Sequence, residues 1–119
     1  MTPRRKTRGR ASAWPPMRGE VWEIQLPRVG THPAVILTVN GLIGRISEVN
    51  VAMITGTSGP PSTRIPLGKD AGLTRYAESY VDTTSVHSLP LATFTRRKGR
   101  LAPAELAAVE DGVRLVLGL

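Results

Sequence analysis

Glu20-Val21-Trp22-Glu23-Ile24-Gln25-Leu26-Pro27, followed by His32-Pro33-Ala34-Val35-Ile36-Leu37-Thr38-Val39, decides the fold. The first half alternates, with Val21, Trp22, Ile24 and Leu26 set against Glu20, Glu23 and Gln25. Successive side chains on a strand point to opposite faces, so positions 22, 24 and 26 share one face. The second half, from Ala34 to Val39, is nearly all apolar, the pattern of a strand buried on both faces. Pro27, Gly30 and Pro33 mark a short connection between them. Strands are therefore expected over residues 19–26 and 33–39.

Gly41, Gly44 and Arg45 make a loop after this pair, and Glu48 to Thr55 reads as a third, central strand. Gly56 to Ser62, with Gly59-Pro60-Pro61, is a loop. Thr63 to Leu67 is a short strand confined to an edge by Pro66, which has no N–H for a ladder. Gly68 to Gly72 is a turn. Glu78 to Thr83 is a fifth strand, which Val86 to Leu89 continues until Pro90. Arg96-Arg97-Lys98 reads as a solvated loop. Short strands at this spacing, punctuated by Gly and Pro, predict a small β-barrel. The end differs: Ala104 to Leu117 has apolar residues at 106, 109, 113, 116 and 117, an amphipathic helix that packs one face on the sheet. Pro103 suits its first position. Ala102 is a poor cap, and Gly112 costs the helix ~1 kcal/mol relative to Ala.

A chain of 119 residues is one domain. With only five aromatic residues its core must be aliphatic, and in so small a domain a second subunit would add useful burial. The absence of cysteine excludes a disulfide framework and a thiolate metal site, and suits a reducing cytoplasm. The net charge of +7 is unevenly spread: Arg4, Arg5, Lys6, Arg8 and Arg10 stand in residues 1–17 with no acid. With those five set aside, eleven basic residues face nine acidic ones, a net of +2. Residues 1–17 are thus expected to form a basic, disordered extension, dispensable for folding through residue 16, and residues 18–119 the folded domain. Such a tail attracts polyanions without reading sequence. No run approaches the ~18 apolar residues of a membrane span, and no apolar stretch follows the basic start as a secretory signal requires. No His, Asp and Glu cluster has metal-ligand spacing. Gly56-Thr57-Ser58-Gly59 leads into Pro60-Pro61 rather than a helix, so it is not a phosphate-binding loop. Neither metal nor cofactor is expected.

Met17-Arg18-Gly19-Glu20-Val21-Trp22, His32-Pro33 with its apolar run to Asn40, Val51 to Ser58, Thr63 to Gly68, Ser79-Tyr80-Val81-Asp82 and Gly99-Arg100-Leu101-Ala102-Pro103 occur in an order and spacing that resemble the MazF/PemK family of toxin endoribonucleases. The resemblance covers residues 18–119. It implies a mainly β fold, a compact SH3-like barrel with a C-terminal helix, shared with Kid and the gyrase poison CcdB. It implies metal-independent, sequence-specific cleavage of single-stranded RNA, leaving a 2′,3′-cyclic phosphate and a 5′-hydroxyl. It further implies a cytoplasmic homodimer, and a MazE-like antitoxin that covers the RNA groove with an acidic segment.

The resemblance also locates the chemistry. His32 stands where the family mostly has Arg, and Thr55 where it keeps Thr or Ser. Thr84, Ser85 and His87 replace a carboxylate, a glutamine and an arginine in a later turn. Asp82, two residues before Thr84, shares its strand face and can stand in for the missing carboxylate. The catalytic candidates are therefore His32, Thr55 and Asp82, and the substrate-binding candidates Arg28, Thr57, Thr84, Ser85 and His87. The chain's two histidines occupy the two arginine positions, so a two-histidine acid–base pair is one alternative, imidazole being able to exchange protons near neutral pH. Two rival functions follow from the same residues: a decayed homologue that binds RNA or antitoxin without cutting, and a CcdB-like inhibitor of gyrase.

Overall fold

The computed structural model describes residues 14–74 and 77–119, and the basic stretch 1–13 lies outside them. Six strands run in chain order: β1 (Glu20–Leu26), β2 (Gly30–Ile36), β3 (Glu48–Thr55), β4 (Arg64–Leu67), β5 (Ser79–Pro90) and β6 (Phe94–Arg100), followed by one α-helix, α1 (Pro103–Leu117). They form one sheet in the order β4-β5-β3-β2-β1-β6 with every neighbour antiparallel. The β1–β2 hairpin pairs Leu26 with Gly30 and Val21 with Val35, which leaves Pro27, Arg28 and Val29 as its turn.

The SH3-like barrel expected from the sequence is not formed: the sheet is open, with β4 and β6 as its two edges. Closure would need an unbroken ladder around the whole circumference. Edge β4 is only four residues long and carries Pro66. The other edge, Phe94-Thr95-Arg96-Arg97-Lys98-Gly99-Arg100, is rich in basic side chains. Short length, proline and charge are the features that keep sheet edges from pairing. The sheet is nevertheless strongly curled. A three-residue 3-10 turn, Leu91–Thr93, carries the chain from β5 to β6, although β3, β2 and β1 lie between them. Four strand spacings on a flat sheet would be ~19 Å. Pro90 to Phe94 can span at most ~15 Å.

This curl gives each face its own core. On one face Trp22, Ile24, Ala34, Ile36, Val49, Val51 and Phe94 pack together, joined by Trp14, Met53, Leu89 and Leu91. On the other face Val21, Val35, Ala52, Ile54, Ile65 and Val81 meet Val109 of α1. The alternation in β1 therefore serves two cores rather than one core and water. Glu20, on the polar side of the sequence pattern, is buried on the Trp22 face. Its Oε1 accepts the Trp22 indole N–H (3.0 Å) and the Met17 backbone N–H (2.8 Å), and its Oε2 accepts Arg97 Nε–H (2.8 Å). Arg96 to Lys98, read as a solvated loop, lies within β6 because the Phe94 anchor and pairing with β1 hold it there. Trp14 packs edge-on against Trp22 and Pro16 is fully buried, so removing residues 1–13 and removing residues 1–16 are different perturbations.

Helix α1 begins at Pro103, where Glu105 reaches back to accept the Ala102 N–H (2.7 Å) and also takes the Gly68 N–H (2.6 Å). One carboxylate thus supplies the reciprocal half of a capping box and pins the helix start to the turn after β4. Arg18 pairs with Glu110 and ties the chain before β1 to the same helix. Gly112 is explained by proximity: a Cβ there would lie 2.6 Å from Ser62 O and 2.8 Å from Thr83 Cγ2. Gly112→Ala is accordingly expected to destabilise the protein, although helix propensity alone favours Ala by ~1 kcal/mol, because overpacking costs ~1–3 kcal/mol. Denaturant titration checks this, and a more stable variant would show that α1 can shift outward. Among the described residues no helix is long and apolar enough to cross a membrane.

Candidate active site on the open sheet face

Strand parity collects the candidate residues on one face. On β2, Ala34 and Ile36 belong to the Trp22 core, so His32 lies on that face two residues further on. On β3, Val51 belongs to the same core, so Thr55 lies there too. The β2–β3 ladder ends at the pair Ala34–Met53, and His32 and Thr55 each lie two residues beyond it, at the same end of the sheet. At that last paired row the strands are ~5 Å apart. Across β3 and β5, Met53 pairs with Asp82 and Thr55 with Tyr80, and across β4 and β5, Arg64 pairs with Asp82. His32, Thr55, Tyr80, Asp82 and Arg64 thus share one face at one end.

A network runs through this end. Thr57 N–H donates to Thr55 Oγ1 (3.2 Å), and Thr57 O accepts Arg64 Nη1–H (2.9 Å). A second, longer bond joins Arg64 Nη1 to Ser58 O (3.4 Å). Arg64 Nη2 faces Asp82 Oδ2 at 3.6 Å, while Asp82 Oδ1 accepts both the hydroxyl (2.6 Å) and the N–H (3.0 Å) of Thr84. Partial burial alone would raise the Asp82 carboxyl. The two bonds from Thr84 and the Arg64 guanidinium outweigh it, and the pKa is lowered. Asp82 is therefore a carboxylate at neutral pH, suited to holding cations and donors in place. Thr55 accepts one bond and keeps its own proton to donate.

Between the Ala52–Val86 and Met53–Asp82 pairs, β3 advances one residue and β5 four. The extra residues Thr83, Thr84 and Ser85 form a bulge, a device that re-aims side chains. Thr83 turns inward and is buried beneath α1, its N–H donating to Thr63 O (3.0 Å). Thr84 turns to Asp82, and Ser85 Oγ lies 3.2 Å from His87 Nε2. His87 pairs across the sheet with Val51, which in turn pairs with Ile36. His32 lies four residues along β2 from Ile36. Two strand spacings and four residues put the two histidines roughly 16 Å apart along the sheet. Of the two histidines, His87 thus meets Ser85, while His32 shares its end of the sheet with Thr55. Arg28 stands at the tip of the β1–β2 turn, exposed and with φ +67°, a left-handed conformation unusual for a residue with a side chain. Arg64 escapes the sequence reading because a lone Arg between two proline-containing segments carries no motif. Its role emerges only when β4 pairs with β5. Among the described residues no three His, Asp or Glu side chains converge as a metal site requires.

A pH dependence follows from Asp82. Its lowered pKa contributes stability that is fully present above the unfolded carboxyl value, ~3.9, and is lost as pH falls through the folded value. Asp82→Asn is expected to lower the thermal midpoint at pH 7, and the gap to the parent should narrow below pH ~4. A gap that stays constant across that range would show that the carboxylate is not engaged.

Residues 17–117 match the model of the PemK-like, MazF-like toxins of type II toxin–antitoxin systems. The chain belongs to this family. The MazF-like relatives include a probable endoribonuclease, MazF5, of Mycobacterium tuberculosis, 33% identical over 96 residues, covering 79% of this chain and 85% of that protein. MazF2 of the same organism is 33% identical over 94 residues, covering 75% and 85%. Among solved structures, a mycobacterial endoribonuclease in complex with its cognate antitoxin superimposes with a TM-score of 0.78 at 24% identity, over 88% of this chain and 97% of that one. The Mycobacterium tuberculosis toxin MazF-mt6 superimposes with a TM-score of 0.73 at 24% identity, over 84% and 97%. These two likenesses carry the fold, and the family match carries a toxin and RNase theme.

Proposed function

We propose that this chain is the toxin of a type II toxin–antitoxin pair and cleaves single-stranded RNA at short sequences without a metal, in the cytoplasm. The 2′-hydroxyl loses its proton and O2′ bonds to the adjacent phosphorus. The P–O5′ bond breaks and the 5′-oxygen takes up a proton. The products are a 2′,3′-cyclic phosphate and a 5′-hydroxyl. His32 carries proton transfer, and Thr55 donates to a phosphate oxygen. Asp82 holds its neighbours in place, while Arg28, Thr57, Thr84, Ser85 and His87 contact the RNA. The observation that carries this reading is the convergence of His32 and Thr55 at one end of one sheet face, beside a hydrogen-bonded polar network. A base, an acid and donors for the developing charge are what the reaction requires.

The partners follow the same reading. Leu115, Leu117 and Leu119 are exposed on and after the last turn of α1, which supports a homodimer. The antitoxin bound in the mycobacterial structure supports an antitoxin partner here, with an acidic segment competing with RNA for the same surface. A second reading, binding without cleavage, is favoured by one observation: Asp82 is already committed to Thr84 and Arg64, and its lowered pKa makes it a weak base. The test is to incubate the purified protein with a long single-stranded RNA in EDTA and map the ends. Discrete cuts bearing cyclic phosphates and 5′-hydroxyls support cleavage, and bound but uncut RNA supports the second reading.

A further inference from the structure

We propose that Arg64 is a catalytic residue for this cleavage, its guanidinium meeting the charge that grows on the non-bridging phosphate oxygens, with Asp82 as its positioning partner. This rests on the reading that the His32–Thr55 face cuts phosphodiesters. As O2′ bonds to phosphorus, negative charge accumulates on two oxygens that no proton transfer relieves. Donors already aimed at them are worth most, because nothing has to reorganise during the step. A guanidinium fits two phosphate oxygens with a planar fork, which imidazole and hydroxyl cannot do.

Besides Arg100, which stands in register with Glu20 on the far edge strand, three arginines among the described residues bear on this face. Arg97 is committed to the buried Glu20 at the far edge of the sheet. Arg28 sits exposed on the hairpin tip, and its side chain makes no hydrogen bond or ion pair among the described residues. Arg64 alone of the three is fixed at the polar end. Two carbonyls hold Nη1 and a carboxylate faces Nη2. A guanidinium has five N–H groups. With three of them directed at Thr57, Ser58 and Asp82, two remain for a ligand, and the side chain is 26% exposed. Thr57 links this group to the other donor, since its N–H holds the Thr55 hydroxyl and its carbonyl holds Arg64. One residue thus sets the spacing of the two groups that would touch the phosphate. Gly59 serves the same arrangement: a Cβ there would lie 2.7 Å from Arg64 Cγ, so the loop crosses the arginine stem at a distance that glycine permits.

The experiment uses the full chain and a short RNA spanning one cut site mapped on a long single-stranded RNA. Arg64→Ala is expected to lower kcat by ~10²-fold, the scale for removing one preorganised donor to an oxyanion, with a smaller change in KM. Arg64→Lys keeps the charge without the fork and should fall between the two. Guanidinium chloride at tens of millimolar should restore part of the rate of the Arg64→Ala variant and none of that of His32→Ala. Asp82→Asn should lower kcat less than Arg64→Ala. Loss of thermal stability with a matching rise in KM, and no rescue by guanidinium, would make Arg64 a clamp for the 56–63 loop and overturn the proposal. An Arg64→Ala variant that folds and cuts at the parental kcat overturns the role of Arg64 alone. A parent that cuts no RNA overturns the cleavage reading and this role with it.

Discussion

His32→Ala is expected to lose ~10²-fold or more of the RNA cleavage rate, the scale for removing a general acid or base. His32 opens the polar end of β2 on the face that also carries Thr55, half-buried, with no hydrogen bond to its ring among the described residues. An imidazole placed so is open to a substrate on this face. His32→Arg separates proton transfer from charge: arginine stays cationic throughout the accessible range and is a poor proton carrier. The His32→Arg variant should retain RNA binding and show a flattened pH–rate profile near neutrality, measured in single turnovers. Thr55→Ala removes one hydrogen bond to a charged group, worth ~1.5–3 kcal/mol, and should cost correspondingly less. His87→Ala should act mainly on KM, because its ring lies against Ser85, outside the Thr55–Thr57–Arg64 network. His32→Ala and Thr55→Ala variants that both fold and cut at the parental rate would remove these residues from the reaction.

Much of the scaffold was legible because local patterns and tertiary pairing agree. The β1–β2 hairpin announces itself through alternation and turn residues, and α1 through its apolar spacing after Pro103. β6 was illegible because its sequence has one apolar anchor, Phe94, and otherwise reads as charge. It becomes a strand only because β1 offers it a ladder. Closure into a barrel was expected from the number and spacing of strands. Edge pairing, however, depends on what β4 and β6 present to each other, and Pro66 and the basic edge of β6 present nothing complementary. At the site, the two-residue period puts Asp82 and Thr84 on one strand face, but it is the bulge that turns Thr84 onto the Asp82 carboxylate. The bulge at Thr83 to Ser85 was not readable, since a bulge is defined by the partner strand and not by its own residues. Gly112 was read as a cost to the helix because its benefit, close approach to Ser62 and Thr83, lies in another part of the chain.

Glu20→Ala should be the most destabilising polar substitution in the domain, at ~3 kcal/mol. Glu20 is 7% exposed and accepts three donors at once. Removing it strands the Trp22 indole N–H, which is fully buried and has nowhere to find water. An unsatisfied buried donor costs ~1–3 kcal/mol. It also releases Met17, the residue that carries the chain into β1, and leaves Arg97 without its carboxylate. Losing one partner of a buried ion pair costs ~3–5 kcal/mol, but Arg97 Nε can turn to solvent because that side chain is 36% exposed, so the lower part of the range applies. Glu20→Gln separates these contributions. Its amide oxygen can still accept from Trp22 and Met17, but its NH2 replaces the acceptor for Arg97 Nε–H, which then turns to solvent, so ~1–2 kcal/mol is expected. In a domain of this size each kcal/mol moves the thermal midpoint by ~4–8 °C. Denaturant unfolding at one fixed protein concentration should therefore rank the parent above Glu20→Gln, and Glu20→Gln well above Glu20→Ala. If Glu20→Ala unfolds at the parental midpoint, the carboxylate does not hold the start of β1 to the Trp22 core, and another contact must be found for that task.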